Sequence, residues 1–416
     1  MNMITTASRM YLTRSFKPFT FVADDGRSKP DLTAVDKPGL YVHIPFCRTL
    51  CHFCPYCKVL FNADLCNGYL DALKREIDFV SMGQNFPVSS LYFGGGSPAL
   101  IGDRIGEIIK KLQQYYRITD GIGVELHPLD VRKDTLQQLK DAGVTRISIG
   151  IQSFQKKFQK MLGRADMDIA GMKKTLQAAD FEIVSMDFIF ALPDQTADDL
   201  KCDIQTAFDC GANHAAIYPF IDFSFTRTPL EAMKKREKRK LLDEITAYFR
   251  TVGCHRDSIW TFALEKGHKY SSMTRDNFIG FGCSAATLLK DQFRINTFSV
   301  EAYCKRIDNQ ILPTALRCDF TIRQRMIYWL FWRAYTTRIS EPDFEKCFGI
   351  SLRKAFGVEL KIAEFAGLIF KDNEEWKLTD KGAFYFHYYE GFYTLSYIDK
   401  MWGLLRHEDF PRSMKL

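Results

Sequence analysis

The chain has no stretch of 18 or more apolar residues, so a transmembrane helix is not expected. The first residues, MNMITTASRMYLTRSFKPF, have no long apolar core of the secretory type, which leads us to expect a cytoplasmic protein. Charge of one sign is also scarce. Lys plus Arg is 57 against 50 for Asp plus Glu, a net +7. That excess permits an anionic substrate but is not the concentrated basic patch of a nucleic-acid binder, so no nucleic-acid partner is expected. Low-complexity tracts are absent, and there is no repeat beyond the β/α alternation described below. What remains, 416 residues with 46% apolar and 26% charged, excludes disordered and fibrous classes. Two or three domains are expected, each able to bury a core.

Cysteine is plentiful but uneven. Of the 12 cysteines, four fall together: Cys47, Cys51, Cys54 and Cys57. A tight cluster in a long chain without a leader reads as metal binding, not as a disulfide framework. The other eight (Cys66, Cys202, Cys210, Cys254, Cys283, Cys304, Cys318, Cys347) are separated, and each is expected to be a small buried apolar residue.

From residue 40 short apolar runs alternate with amphipathic stretches. The runs are 40–46, 90–96, 123–128, 146–154, 184–193 and 214–220. The helical stretches are 65–80, 105–116, 133–142, 169–179, 197–210 and 229–249. Six strands alternating with helices imply a parallel sheet of βαβ units, either open and doubly wound or a partial barrel. Residues 1–39 read as an irregular arm, long enough to cover an active site. Residues 40–300 read as the core with an extension shaping a substrate cavity, and 301–416 as a mainly helical domain resembling a winged helix. The aromatic-rich segment 383–397 is expected to pack in a core.

The segment YVHIPFCRTLCHFCPYCKVLF begins on the first strand and places its cysteines on the loop at that strand's carboxyl end, where α/β proteins hold ligands. Cys47, Cys51 and Cys54 have CxxxCxxC spacing. Three thiolates can hold three irons of a [4Fe–4S] cluster and leave the fourth iron open. A closed zinc site using all four cysteines, or redox thiols, is the competing reading. FGGGSP at 93–98 follows the second strand, and its glycines allow close approach of a ligand or simply a tight turn.

YxHIPFCxxxCxxC followed by GGGSP resembles the radical S-adenosylmethionine (SAM) superfamily. More narrowly it resembles the branch of oxygen-independent coproporphyrinogen III oxidases, heme chaperones, heme-degrading enzymes and radical SAM methyltransferases. The resemblance covers about residues 40–300. It implies a partial (β/α)6 radical SAM barrel with a mainly helical, winged-helix-like C-terminal domain. It implies Cys47, Cys51 and Cys54 as ligands of the cluster and one or two bound SAM molecules. By the same resemblance Gly94, Gly95, Gly96 and Ser97 meet the methionyl amino group. Gln152 faces the ribose, Arg164 takes the carboxylate, and Glu125 and Asp187 are further acidic positions. Tyr41 and Phe53 flank the cluster and the adenine. The catalytic residues are not identified.

The implied activity is reductive cleavage of SAM to a 5′-deoxyadenosyl radical that abstracts hydrogen from a tetrapyrrole or other conjugated, carboxylate-bearing compound. A flavodoxin or ferredoxin would donate the electron. Arg227 is a candidate carboxylate partner. A C-methyltransferase using two SAM molecules and a non-catalytic heme chaperone, with His43, His52 and His127 as candidate heme ligands, are the alternatives. One departure is notable. Coproporphyrinogen oxidases of this branch carry a further cysteine two residues after the third ligand, where this chain has Tyr56 and then Cys57.

Overall fold

The computed structural model describes residues 10–15, 17–81, 83, 85–226, 228, 230–264 and 276–416, with the side chains of 34 and 387–396 left aside. Arg227 lies outside the described residues. Strands β1 (Gly39–Ile44), β2 (Leu91–Gly95), β3 (Ile122–Leu126), β4 (Arg146–Gln152), β5 (Ile183–Phe190) and β6 (His214–Pro219) are parallel neighbours in that order. Nearly every residue in them is buried, because helices cover one face and the protein interior the other; hence the unbroken apolar runs.

The intervening helices are α1 (Ala63–Val80), α2 (Gly102–Gln113), α3 (Lys133–Asp141), α4 (Ile169–Ala179) and α5 (Ala197–Asp209). Their starts are set locally. The Asn62 side chain accepts from the Leu65 amide, Asp168 accepts from Gly171, and Thr196 with Asp199 forms a capping box. A sixth helix, α6 (Lys235–Thr251), begins six residues later than the apolar spacing suggested. The strand order never reverses, unlike that of a doubly wound sheet, so the six units wind one way as a partial barrel with all strand ends on one side.

The sheet then grows at both edges to fourteen strands. Strand β7 (Phe278–Phe281) adds parallel to β1, followed by antiparallel β8 (Ala286–Leu289), β9 (Gln292–Asn296) and β10 (Thr314–Asp319). The stretch read as an irregular arm supplies a strand, Thr20–Ala23, that pairs with β10 and with Ser413–Lys415 near the end of the chain.

Helices α7 (Ile322–Tyr335), α8 (Glu341–Phe348) and α9 (Leu352–Phe365) with a three-stranded sheet form a small winged-helix-like unit around Trp329, Phe344, Phe356 and Trp376. In the aromatic segment Phe384, Phe386 and Tyr397 pack on the main core. Among the described residues no helix is long and apolar enough to cross a membrane.

Two cysteine expectations need correction. Cys202 and Cys347 are exposed, not buried. They sit on the outward faces of α5 and α8, which an apolar count alone does not reveal.

Candidate functional site

The cysteine loop is pinched off just after β1, where Phe46–Cys47 pairs with Val59–Leu60. Lys58 Nζ donates to the Cys54 carbonyl at 2.5 Å, and Arg406 donates to the carbonyls of Pro55 and Tyr56. His43 Nε2 lies 2.9 Å from the Cys57 carbonyl and Nδ1 lies 3.0 Å from Tyr41 Oη. Since a carbonyl only accepts, His43 Nε2 carries a proton and donates to the Cys57 carbonyl, while Nδ1 and the Tyr41 hydroxyl share the second contact. Both nitrogens are thereby occupied, which leaves His43 unsuited to ligate heme.

Cys47, Cys51 and Cys54 are free, half-buried, and face one cavity. Burial and the adjacent thiols of Cys54 and Cys51 push Cys47 up to about 12, while Lys58 and Arg164 oppose this. Burial also raises Cys54. A cation at this loop would favour the ionised thiols against that burial, and three thiolates are the donor set an iron–sulfur cluster needs. Cys57 also lines this cavity, but its thiol contacts the core instead. It is buried in the main core, its Sγ 3.1 Å from the Phe298 carbonyl and 4.0 Å from Cys283 Sγ. The closed site of four neighbouring cysteines thus lacks its fourth member.

The glycine loop is explained first by packing. A Cβ on Gly95 (φ +117°) would lie 2.5 Å from the His43 ring, and one on Gly96 would lie 2.6 Å from the Phe46 carbonyl oxygen. The loop is thereby pressed against the start of the cysteine loop. Ser97 lines the same cavity, and its hydroxyl donates to Asp130 at 2.8 Å. Arg48, inside the cysteine loop, pairs with the same carboxylate at 2.9 Å. Asp130 is fully buried and ties the two loops together. Sequence reasoning missed it. The only signal was its place in VELHPLD, just past a strand's carboxyl end.

Glu125 and Asp187 line the cavity. Glu125 accepts from Tyr92 Oη at 3.2 Å and from the Gly95 amide at 3.1 Å, and burial raises its pKa. Asp187 accepts from Ser148 at 2.9 Å and from Ser185 at 3.4 Å, and burial pushes it up to about 7. Gln152 ends β4 in a left-handed conformation (φ +72°) and lines the same cavity. Arg164 does too, and its Nε and Nη1 are buried with no hydrogen-bond partner among the described residues. A buried guanidinium left this way lacks an anion. Its carbon centre lies 5.8 Å from the Phe53 ring, which packs with Phe158, Ile189 and Phe220 beneath Cys51 and Cys54. His127 accepts from the Leu129 amide, and burial with Arg164 lowers it to about 4, so it is neutral. His52 has a buried, unpartnered Nδ1 but does not line the cavity.

The cavity measures about 1240 Å³ and runs from the cysteine loop toward α6 and α7. Aromatic rings dominate its walls, among them Phe21, Phe223, Phe293, Phe298 and Trp402. Phe19 and Phe21 come from the N-terminal segment, which thus walls the site. Lys238, Arg256 and Arg333 also line the cavity, beside Asp257, Asp343 and Glu375, and Arg333 pairs with Asp276. The Lys238 ammonium has no partner among the described residues, and desolvation lowers its pKa.

A sequence model of the radical SAM superfamily matches residues 41–206. The matched segment is about two-fifths of the chain and resembles that superfamily. It begins on β1, ends in α5, and carries Cys47, Cys51 and Cys54, the glycine loop, Glu125, Gln152, Arg164 and Asp187. The radical SAM family implies a [4Fe–4S] cluster and SAM, and the donor set and the unpartnered Arg164 fit them.

Over most of its length the chain is similar to a heme chaperone of Bacillus subtilis, 25% identical over 82% of this chain and 95% of that protein. It is also similar to oxygen-independent coproporphyrinogen III oxidase of Escherichia coli, 26% identical over 83% and 82%. An anaerobilin synthase of E. coli O157:H7 is 36% identical over 43% of this chain and 42% of that protein. The structure of the E. coli coproporphyrinogen III oxidase covers 91% of this chain and 96% of its own, with a TM-score of 0.73 at 21% identity, and so shares the fold.

Proposed function

We propose that the chain is a radical SAM enzyme acting on a tetrapyrrole. The observation that carries this reading is that three free thiols and an unpartnered buried arginine open into one large aromatic-walled cavity. When bound, the cluster and SAM together supply the 5′-deoxyadenosyl radical, chemistry that belongs to the cofactors.

The chain's own residues bind, orient and exclude water. Cys47, Cys51 and Cys54 hold the cluster. Arg164 offers two free N–H directions to the carboxylate of SAM. The Gly94–Gly96 backbone and Glu125 receive its amino group, and Gln152 and Asp187 face the ribose side. Tyr41 and Phe53 close the pocket around the cluster and the adenine. The aromatic walls suit a large flat macrocycle, and Lys238, Arg256 and Arg333 suit its carboxylates. The names of two relatives point to heme and coproporphyrinogen, both tetrapyrroles. The electron would come from a protein such as a flavodoxin or ferredoxin.

The test is a product survey by mass spectrometry. The cluster is assembled without oxygen, SAM and dithionite are added, and reactions with and without a porphyrin or porphyrinogen are compared. The reading expects 5′-deoxyadenosine that rises with the tetrapyrrole. S-adenosylhomocysteine appearing with it would shift the assignment to methyl transfer. Tetrapyrrole binding with neither product would replace catalysis by the heme-chaperone role.

A further inference from the structure

We propose that Cys57 and Cys283 form a second thiol site, separate from the cluster ligands, that a small disulfide oxidises to an internal disulfide bond. The two residues are 226 positions apart and come from different parts of the sheet domain. Cys57 closes the cysteine loop, and Cys283 follows β7, the strand that pairs with β1. Their Sγ atoms are 4.0 Å apart, so a shift of about 2 Å brings them to bonding distance. Both are buried, at 4% and 0% exposure.

The surroundings fix this juxtaposition. The Cys57 carbonyl accepts from His43, and the Cys283 amide donates to Tyr69 Oη at 3.1 Å. Tyr69 in turn donates to the His43 carbonyl at 2.7 Å. One histidine therefore anchors both cysteine backbones. The hydrogen bond with Cys283, with His43 beside it, lowers Cys57 well below an ordinary thiol, whereas burial raises Cys283. An attacking thiolate and a resolving thiol are thus distinguished. Cys57 lines the large cavity, which gives a small oxidant its route. A metal ion is the weaker occupant, because both ring nitrogens of His43, the third nearby donor, are already engaged.

The chemistry balances. The Cys57 thiolate attacks one sulfur of a low-molecular-weight disulfide and releases one thiolate. The Cys283 sulfur gives up its proton, attacks Cys57 Sγ in the mixed disulfide and releases the second. Two electrons pass from the pair to the oxidant, which leaves as two thiols. The product bond staples the end of the cluster loop to Cys283, two residues past β7, and consumes none of Cys47, Cys51 and Cys54.

The experiment treats cluster-loaded protein, without oxygen, with 2-hydroxyethyl disulfide. The thiols are then blocked in acid, and the cysteines are mapped by peptide mass spectrometry alongside an iron assay. The expected result is a Cys57–Cys283 link with iron content unchanged. In Cys283→Ser the expected result is a lasting 2-hydroxyethylthio adduct on Cys57. Exposed Cys202 and Cys347 report that the reagent is active. Modification of those two with Cys57 and Cys283 both still open to alkylation would overturn the proposal. So would a link from Cys57 to a cluster cysteine accompanied by iron loss, or a stoichiometric metal released when Cys57 and Cys283 are alkylated.

Discussion

At the scale of single residues, the chemistry turns on which groups are left without partners. Arg164 has two buried nitrogens with no hydrogen-bond partner among the described residues. Hydrogen bonds to charged groups contribute about 1.5–3 kcal/mol. Arg164→Ala is therefore expected to weaken SAM binding roughly ten- to hundredfold, measured by titration calorimetry on the cluster-loaded protein. Lys at this position is expected to restore only part, since it lacks the planar fork.

Cys54→Ala is expected to abolish cluster assembly, while Cys57→Ala leaves the iron content near that of the wild type. An iron and sulfide assay separates them. The cysteine spacing showed a metal-binding loop but not which thiol stands apart. Cys57 is told from its neighbours only by Phe298 and Cys283, more than 200 residues along the chain. Arg164 carried no local signal beyond MLGRA. Its role was legible through resemblance, and its lack of a partner only in three dimensions.

At the scale of elements, most of the barrel could be read directly. Helix α4 spans Ile169–Ala179, the same range its apolar spacing gave, and the six strands fall within a few residues of their apolar runs. Local signals suffice where both faces of a strand are covered and where a side chain caps the helix, as in α1, α4 and α5. They fail for the joint between loops. Asp130 reaches Arg48 across 82 positions and Ser97 across 33, so no window of sequence contains the contact. Asp130→Ala would leave the Ser97 hydroxyl buried without its acceptor. It is expected to cost about 1–3 kcal/mol in urea unfolding and to slow cluster assembly. An unchanged unfolding midpoint would show that the two loops do not depend on this carboxylate.

At the scale of the whole molecule, the sheet is sealed by strands from both ends of the chain, Thr20–Ala23 and Ser413–Lys415. Their short, irregular-looking sequence gives little sign of strand. Behind the cysteine loop lies a buried polar network centred on Glu76, which accepts from Tyr303 Oη at 2.7 Å, the Gly282 amide at 2.7 Å and Asn296 at 3.2 Å. Burial pushes Glu76 up to about 7, against those hydrogen bonds.

A carboxyl whose pKa rises on folding holds its proton more tightly in the folded chain. Its contribution is full below about 4.5 and is lost as pH climbs through about 7. Asp187, also pushed up to about 7, acts in the same direction. Stability of the metal-free chain is thus expected to fall between about pH 5 and pH 8, with Glu76 contributing up to about 3 kcal/mol. Glu76→Gln is expected to flatten that slope in urea unfolding followed across pH. An equally steep slope in the variant would place the titrating group elsewhere.

The central claim is that the cavity-facing cysteines make this domain a site of reductive SAM cleavage. It is tested most directly by measuring iron and 5′-deoxyadenosine together in the wild type and in Cys54→Ala. The account expects about four irons per wild-type chain and 5′-deoxyadenosine only under reduction, with both lost in the variant. Zinc in place of iron, or cleavage of SAM that survives in Cys54→Ala, would contradict it.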